Sequence, residues 1–104
     1  MIRLQAFYPN TKDGFFDHDY YVNKHVPVVY GLLGPLGMTG MEVSRGTETM
    51  DGEEAPYSCV VTVTFRSREA MDEGFSGERK DQLLNDIPNF TNVEPIIQVG
   101  EVLL

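Results

Sequence analysis

The chain has 104 residues, of which 41% are hydrophobic and 23% are charged. This composition is typical of a globular protein and far from that of a disordered one, so we expect the chain to fold. A chain of this length has room for one hydrophobic core, so we expect a single domain over residues 1–104. The formal net charge is −8, and the eight Lys and Arg residues are scattered, which argues against nucleic-acid binding.

No apolar run approaches the roughly 18 residues that a transmembrane helix needs, and the residues after Met1 do not resemble a secretory signal. The single cysteine, Cys59, cannot form an internal disulfide or build a cysteine-based zinc site, which fits a reducing compartment. We therefore expect a cytoplasmic protein without membrane contact.

The first predicted element is a strand over residues 2–8, where apolar and polar side chains alternate until Pro9 and Asn10 form a turn. A helix follows, with Asp17 as its N-cap and Gly34-Pro35 as its end. The apolar positions of this helix recur at three- and four-residue steps, at Tyr21, His25, Val28 or Val29, and Leu32.

Pro27 lies inside this first helix, about ten residues from its start. Proline has no backbone N–H and clashes with the preceding helical turn. We therefore expect a kink near residues 23–25.

Three further strands and a second helix complete the chain. The strands are predicted over residues 39–46, 57–65 and 94–104, with an exposed connection over residues 47–56. In the strand over residues 57–65, the third of the chain, alternation places five side chains on one face: Tyr57, Cys59, Val61, Val63 and Phe65. Ser67 can cap the second helix, which Gly74 and Gly77 interrupt.

The order βαββαβ predicts an α+β domain of ferredoxin-like topology, an antiparallel four-stranded sheet with both helices on one face. The uncovered face would carry Gln5, Phe7, Val60, Thr62, Thr64 and Gln98. This surface is too apolar to stay exposed to water, so we expect a homodimer in which two sheets face each other.

Three segments resemble a known family. They are residues 16–27, with the pattern Asp-Tyr-Tyr-x-x-x-His-x-Pro; Pro56-Tyr57 at the start of the third strand; and residues 86–95, which begin Asp-Ile-Pro-Asn-Phe. Together they resemble the EthD family, named after ethyl tert-butyl ether degradation, over nearly the whole chain.

This resemblance implies a dimeric α+β barrel. The founding members of the family accompany a cytochrome P-450 oxygenase system. Similar barrels include lactone isomerases, polyketide cyclases and dehydratases, and cofactor-free monooxygenases. Some of these relatives use a histidine of the first helix as an acid or base, and the matching position here is His25.

His25 is the predicted catalytic residue, because a histidine side chain ordinarily titrates near neutral pH and this one shares a helix face with Tyr21. The competing interpretation is a core histidine that bonds the backbone beside the kink. His18 lies among acidic residues, yet no third ligand is evident, and we predict no metal site. Cys59 has no neighbouring base and is interpreted as a buried, unreactive thiol.

Aromatic residues could form a pocket for a flat, apolar substrate: Tyr8, Tyr20, Tyr21, Tyr57 and Phe90. Tyr8, Tyr21 and Phe90 are the predicted substrate-binding residues, although aromatic residues in so small a domain also serve simply as core. Asp86 and Asn89 flank Pro88, and turn formation alone explains both residue types.

These observations leave two functions open. One is a cofactor-free enzyme of the lyase or isomerase type, acting on a small apolar carbonyl compound, a lactone or an ether-derived metabolite. The other is a non-enzymatic protein that binds an apolar small molecule or supports a partner oxygenase. A purely structural dimer would contain no cavity. Nucleotide-binding loops and hydrolase motifs are absent from the sequence.

Overall fold

An antiparallel sheet organises the protein. The computed structural model describes residues 1–104 and has four strands, which are β1 Ile2–Pro9, β2 Met38–Arg45, β3 Tyr57–Phe65 and β4 Ile96–Glu101. They lie in the order β2-β3-β1-β4, and every neighbouring pair is antiparallel. This confirms the predicted ferredoxin-like α+β fold. Strand β4 is shorter than the predicted run of residues 94–104.

The first helix, α1, runs over residues 18–33 and is irregular in front of Pro27. A π-helical segment, Tyr21–His25, lies between the α-helical segments His18–Tyr20 and Val26–Leu33. The N–H of Val26 bonds the Tyr21 carbonyl five residues earlier, a looser turn than that of an α-helix. The predicted irregularity thus takes the form of a π-helical turn, the kind of insertion that accommodates a proline without its donor.

This π-helical turn sets which side chains of α1 are buried. They follow one another at four-residue steps, namely Tyr21, His25, Val29 and Leu33. Leu33, rather than the predicted Leu32, is the fully buried leucine of the helix, because the inserted residue changes the periodicity. Val28 remains 41% exposed.

The predicted second helix consists of two short helices, and the break lies between Gly74 and Gly77 as predicted. Helix α2, Arg68–Gly74, begins at Ser67, whose hydroxyl accepts a hydrogen bond from the Ala70 N–H at 3.1 Å. Helix α3, Gly77–Asp86, follows after a break, and a 3-10 turn, Ile87–Asn89, extends it. None of the helices combines the length and the apolar character that crossing a bilayer requires.

The core lies between the helices and one face of the sheet. Its fully buried side chains are Phe65, Phe90, Leu33 and Cys59. Ile97 and Val99 share this face, because they pair with Ala6 and Leu4 of β1, yet they stay 56% and 40% exposed. The core is therefore open to solvent on the side of β4.

The opposite face of the sheet, which we call the open face, carries no helix. Phe7 lies on it, and its ring packs against the Tyr57 ring with centroids 5.4 Å apart. The prediction that Tyr57 shares a face with Cys59 was wrong, because the pairing of β1 with β3 shifts between Tyr8 and Pro9. Such a bulge turns the side chains beyond it to the other face.

Gly46 marks a close approach of the backbone at the end of β2, and its replacement tests this packing. A methyl group on Gly46 would overlap the carbonyl oxygen of Tyr57, whereas one on Gly40 would meet nothing within 4 Å. We expect Gly46→Ala to lower the free energy of unfolding by about 1–3 kcal/mol, measured by urea denaturation. The control Gly40→Ala should leave it unchanged or raise it, so equal losses in the two variants would contradict the steric cause.

Candidate active site

A cavity of about 360 Å³ lies between α1, α3 and the helix-covered face of the sheet. Of its 18 lining residues, 15 are hydrophobic. Tyr21 and His25 line it from α1, while the exposed residues Lys80, Leu84 and Ile97 mark its opening to solvent. This size and lining are typical of sites for small, largely apolar molecules.

His25 is the main polar group of the cavity wall. The residue is 6% exposed, and its Nδ1 lies 2.7 Å from Oδ2 of Asp86, the last residue of α3. Its Nε2 has no hydrogen-bond partner in the chain. Every fully buried side-chain nitrogen or oxygen of the protein does have a partner, so Nε2 is not fully buried. Nε2 therefore retains access to open space. The ring bonds a carboxylate, not the backbone beside Pro27 as the competing interpretation required.

Asp86 is held by three donors. Its Oδ1 accepts hydrogen bonds from the Tyr20 hydroxyl at 2.6 Å and from the Asn89 amide at 2.9 Å, while Oδ2 faces His25. Burial alone would raise the pKa of Asp86, but the hydrogen bonds from Asn89, Tyr20 and His25 outweigh it and lower that pKa below its ordinary value. Asp86 is therefore ionised at neutral pH, and Nδ1 of His25 is the donor in their bond.

Two loops hold α1 against the turn after α3. The N–H of Asp17 donates to the Phe90 carbonyl at 2.7 Å, and the Thr91 hydroxyl donates to the Phe15 carbonyl at 2.6 Å. Phe90 is fully buried, and its ring centroid lies 4.8 Å from those of Tyr21 and His25. The approach of His25 to Asp86 thus rests on hydrogen bonds and ring contacts between distant segments.

Tyr8 and Tyr21 add two hydroxyl groups to the apolar cavity. They are 5% and 4% exposed, and neither hydroxyl bonds another group of the chain. Every fully buried side-chain oxygen of the protein has a hydrogen-bond partner. Because these two hydroxyls have none, they are not fully buried and, like Nε2 of His25, reach open space. Burial, with a smaller contribution from Cys59, raises the pKa of Tyr8 to about 12, and burial likewise raises that of Tyr21. Both are therefore protonated donors at neutral pH.

Four of the residues singled out from the sequence meet at this cavity: Tyr8, Tyr21, His25 and Phe90. Tyr20 and Tyr57 do not line it, because Tyr20 lies on the far side of Asp86 and Tyr57 belongs to the open face. Cys59 is fully buried, and this burial raises the pKa of its thiol to about 11 despite the opposing charge of Arg45.

His18 lies outside the cavity. Its Nε2 bonds the Ser58 carbonyl at 2.8 Å, which attaches the first turn of α1 to β3. No group of three His, Cys, Asp or Glu side chains in the protein is arranged to hold a metal ion.

Asp86 is the functional candidate that the residue pattern explained by turn formation, and only the family resemblance pointed to a function for it. It lies 61 positions from His25, so no local pattern connects the two. One signal was present, because a carboxylate at the C-terminal end of a helix faces the negative end of the helix dipole. A residue in such an unfavourable position needs nearby donors, and Asn89 is one of them.

Comparisons with known proteins agree with this architecture. The family model described as EthD domain matches residues 12–94. An EthD-like protein from Ralstonia eutropha JMP134 shares 27% identity and a TM-score of 0.91, covering 99% of this chain and 92% of that one. An EthD family protein from Bacillus halodurans C-125 shares 19% identity and a TM-score of 0.77, with 99% of both chains covered. HapK from Hahella chejuensis shares 18% identity and a TM-score of 0.68, covering 99% and 93%. No curated protein matches the chain.

The buried phenol of Tyr8 should make the free energy of unfolding fall as the pH becomes alkaline. Tyrosines of the unfolded chain ionise near pH 10, whereas folded Tyr8 keeps its proton until about pH 12. The contribution of Tyr8 to stability is therefore complete below pH 10 and is lost as the pH rises toward 12. We expect urea denaturation to show a smaller alkaline loss in Tyr8→Phe than in the wild type. Tyr30→Phe, at an exposed tyrosine, is the control and should lose as much stability at alkaline pH as the wild type. An equally large alkaline loss in Tyr8→Phe would contradict the assignment of this effect to Tyr8.

Proposed function

The chain belongs to the EthD family, and from this premise we propose that it is an enzyme that moves a proton on a small, largely apolar carbonyl compound or lactone without a cofactor. The reaction is of the isomerase or lyase type. The observation that carries the proposal is the 2.7 Å pair of His25 and Asp86, with the free Nε2 of His25 on the wall of an apolar cavity.

His25 is the general base of this reaction. Its Nε2 removes a proton from the carbon beside the substrate carbonyl, and the bonding electrons move onto the carbonyl oxygen to form an enolate. Asp86 accepts the Nδ1 hydrogen bond and stabilises the imidazolium that results. The protonated ring then returns the proton to another carbon, which completes an isomerisation, or to a leaving group, which completes an elimination.

Tyr8 and Tyr21 supply the electrostatic part of the mechanism. Both hydroxyls are protonated, unpaired within the chain and located in the apolar cavity. Donors of this kind stabilise the negative charge that develops on a carbonyl oxygen, and the exclusion of water strengthens them. They orient the oxygen of the substrate while His25 acts on the adjacent carbon.

One observation favours the alternative function, a binding or accessory protein for a partner oxygenase. With 15 hydrophobic residues among 18, the lining can retain an apolar metabolite without any proton transfer. In that case ligand affinity does not depend on pH and is equal in the wild type and in His25→Gln, and no ligand is turned over.

Deuterium exchange tests the enzymatic function directly. We expect the wild-type protein to speed the exchange of the protons beside the carbonyl of indanone and tetralone in deuterium oxide, followed by proton NMR. In His25→Gln the exchange rate should fall by about 100-fold or more, since general bases contribute roughly 10²–10⁴ in rate. Asp86→Asn should reduce it by about 10-fold or more, because the ring loses its orienting carboxylate.

The control for this experiment is His18→Gln, because His18 bonds the Ser58 carbonyl away from the cavity. It should exchange at the wild-type rate. Exchange that persists in His25→Gln would overturn the assignment of His25 as the base. Binding of both ketones without any exchange would instead support the accessory function.

We further propose that the protein is a homodimer joined through the open face of its sheet. Half-buried side chains such as Phe7 and Val60 lie there, next to the exposed Ile96 of β4. Covering this surface with a second copy removes apolar area from water, which stabilises association.

Sedimentation velocity at micromolar concentration tests the dimer. The wild type should sediment as a dimer, and Val60→Lys should sediment as a monomer, because it places a charge in the middle of the interface. Glu73→Lys introduces the same residue on the exposed surface of α2 and should remain dimeric. A monomeric wild type would contradict the proposed interface.

A further inference from the structure

Both oxygens of the Asp86 carboxylate are committed to hydrogen bonds. Oδ2 faces Nδ1 of His25 at 2.7 Å, while Oδ1 accepts from the Tyr20 hydroxyl at 2.6 Å and the Asn89 amide at 2.9 Å. A carboxylate held at one oxygen cannot rotate freely about its bond to the chain. The direction in which Oδ2 points is therefore set by Tyr20 and Asn89.

The π-helical segment allows Tyr20 and His25 to reach the same carboxylate. These residues are five positions apart, and in an α-helix of 3.6 residues per turn they would lie about 140° apart around the axis. In a π-helix the hydrogen bonds join residues five apart, which brings such positions together on one side. The segment Tyr21–His25 thus places a donor and a base on opposite oxygens of Asp86.

Tyr20 and Asn89 lie outside the cavity that holds the free Nε2 of His25. Together with Gln82, Asn85 and Asp86 itself they line a separate polar cleft on the protein surface, and Asp86 bonds His25, which lines the cavity. The only side-chain hydrogen bonds that connect them to His25 pass through Asp86. The side-chain hydrogen bonds of Tyr20 and Asn89 therefore reach the cavity wall through this carboxylate.

We propose that Tyr20 and Asn89 are positioning residues that determine the tautomer of His25. By holding Oδ1 they direct Oδ2 at Nδ1, so the proton of the neutral ring stays on Nδ1 and the lone pair of Nε2 faces the cavity. The opposite tautomer would present an N–H to the substrate and could not remove a proton. The catalytic consequence rests on the proposed function, whereas the tautomer itself does not.

Nitrogen NMR of the labelled protein measures this tautomer, because protonated and unprotonated ring nitrogens have well-separated chemical shifts. The spectra are recorded at a pH where titration shows both histidine rings to be neutral. We expect wild-type His25 to be protonated at Nδ1. In the double variant Tyr20→Phe/Asn89→Ala, the His25 signals should move toward a mixture of tautomers or toward protonated Nε2.

The matched control is Tyr30→Phe/Asn85→Ala. Tyr30 is an exposed tyrosine of the same helix, and Asn85 lies in the same cleft as Asn89 without a hydrogen bond to Asp86. This pair should leave the His25 spectrum unchanged. The single variants Tyr20→Phe and Asn89→Ala should give smaller shifts in the same direction, and they decide the question if the double variant does not fold.

The ketone exchange assay separates this inference from the proposed function. If Tyr20 and Asn89 position His25, their double variant should lose about 10-fold or more in kcat while KM for indanone stays constant. A wild-type tautomer in the double variant would overturn the positioning role, whether or not the protein exchanges ketones. A wild type that exchanges no ketone would instead overturn the proposed function, and the tautomer shift would still establish the positioning role.

Discussion

The backbone constraint at Pro27 underlies the geometry of the cavity wall. Since proline donates no hydrogen bond, the helix before it widens into the π-helical segment Tyr21–His25. This change of periodicity places Tyr21 and His25 on the cavity side and Tyr20 against Asp86. An uninterrupted α-helix through the same residues would separate Tyr20 from His25.

The polar groups of the site stabilise one another within an apolar surrounding. A partly buried carboxylate without partners would be costly, and Asp86 avoids this cost through its bonds to His25, Tyr20 and Asn89. Because these bonds also lower the pKa of Asp86, the negative charge persists beside the imidazole. The same bonds therefore compensate the burial of the carboxylate and keep a negative charge beside His25, the base of the proposed reaction.

The two faces of the sheet have different surroundings because the helices cover only one of them. On the covered face the helices stop short of full coverage along β4, and the cavity opens there beside Ile97. On the open face no helix supplies apolar contacts to Phe7 and Val60. One face of the sheet thus borders an open apolar cavity, and the other is a surface without a covering helix, on which the proposed dimer rests.

Local patterns in the sequence determined the elements of this protein. Alternation predicted β3 over the residues that form it, and the polar residues Asp17 and Ser67 predicted the starts of two helices, because capping and strand periodicity depend on near neighbours. The family resemblance rested on the same local segments. The glycines also predicted the break in the second helix, between Gly74 and Gly77, whereas the π-helical form of the irregularity and the change of face at Tyr57 were not predicted.

Only the tertiary structure decided the site. The bond between His25 and Asp86 joins residues 61 positions apart, and the bulge that moves Tyr57 depends on how β1 pairs with β3. Such contacts follow from the packing of whole elements, which periodicity along one segment does not encode. The sequence by itself determined which side chains could carry the chemistry, and long-range packing determined which of them meet.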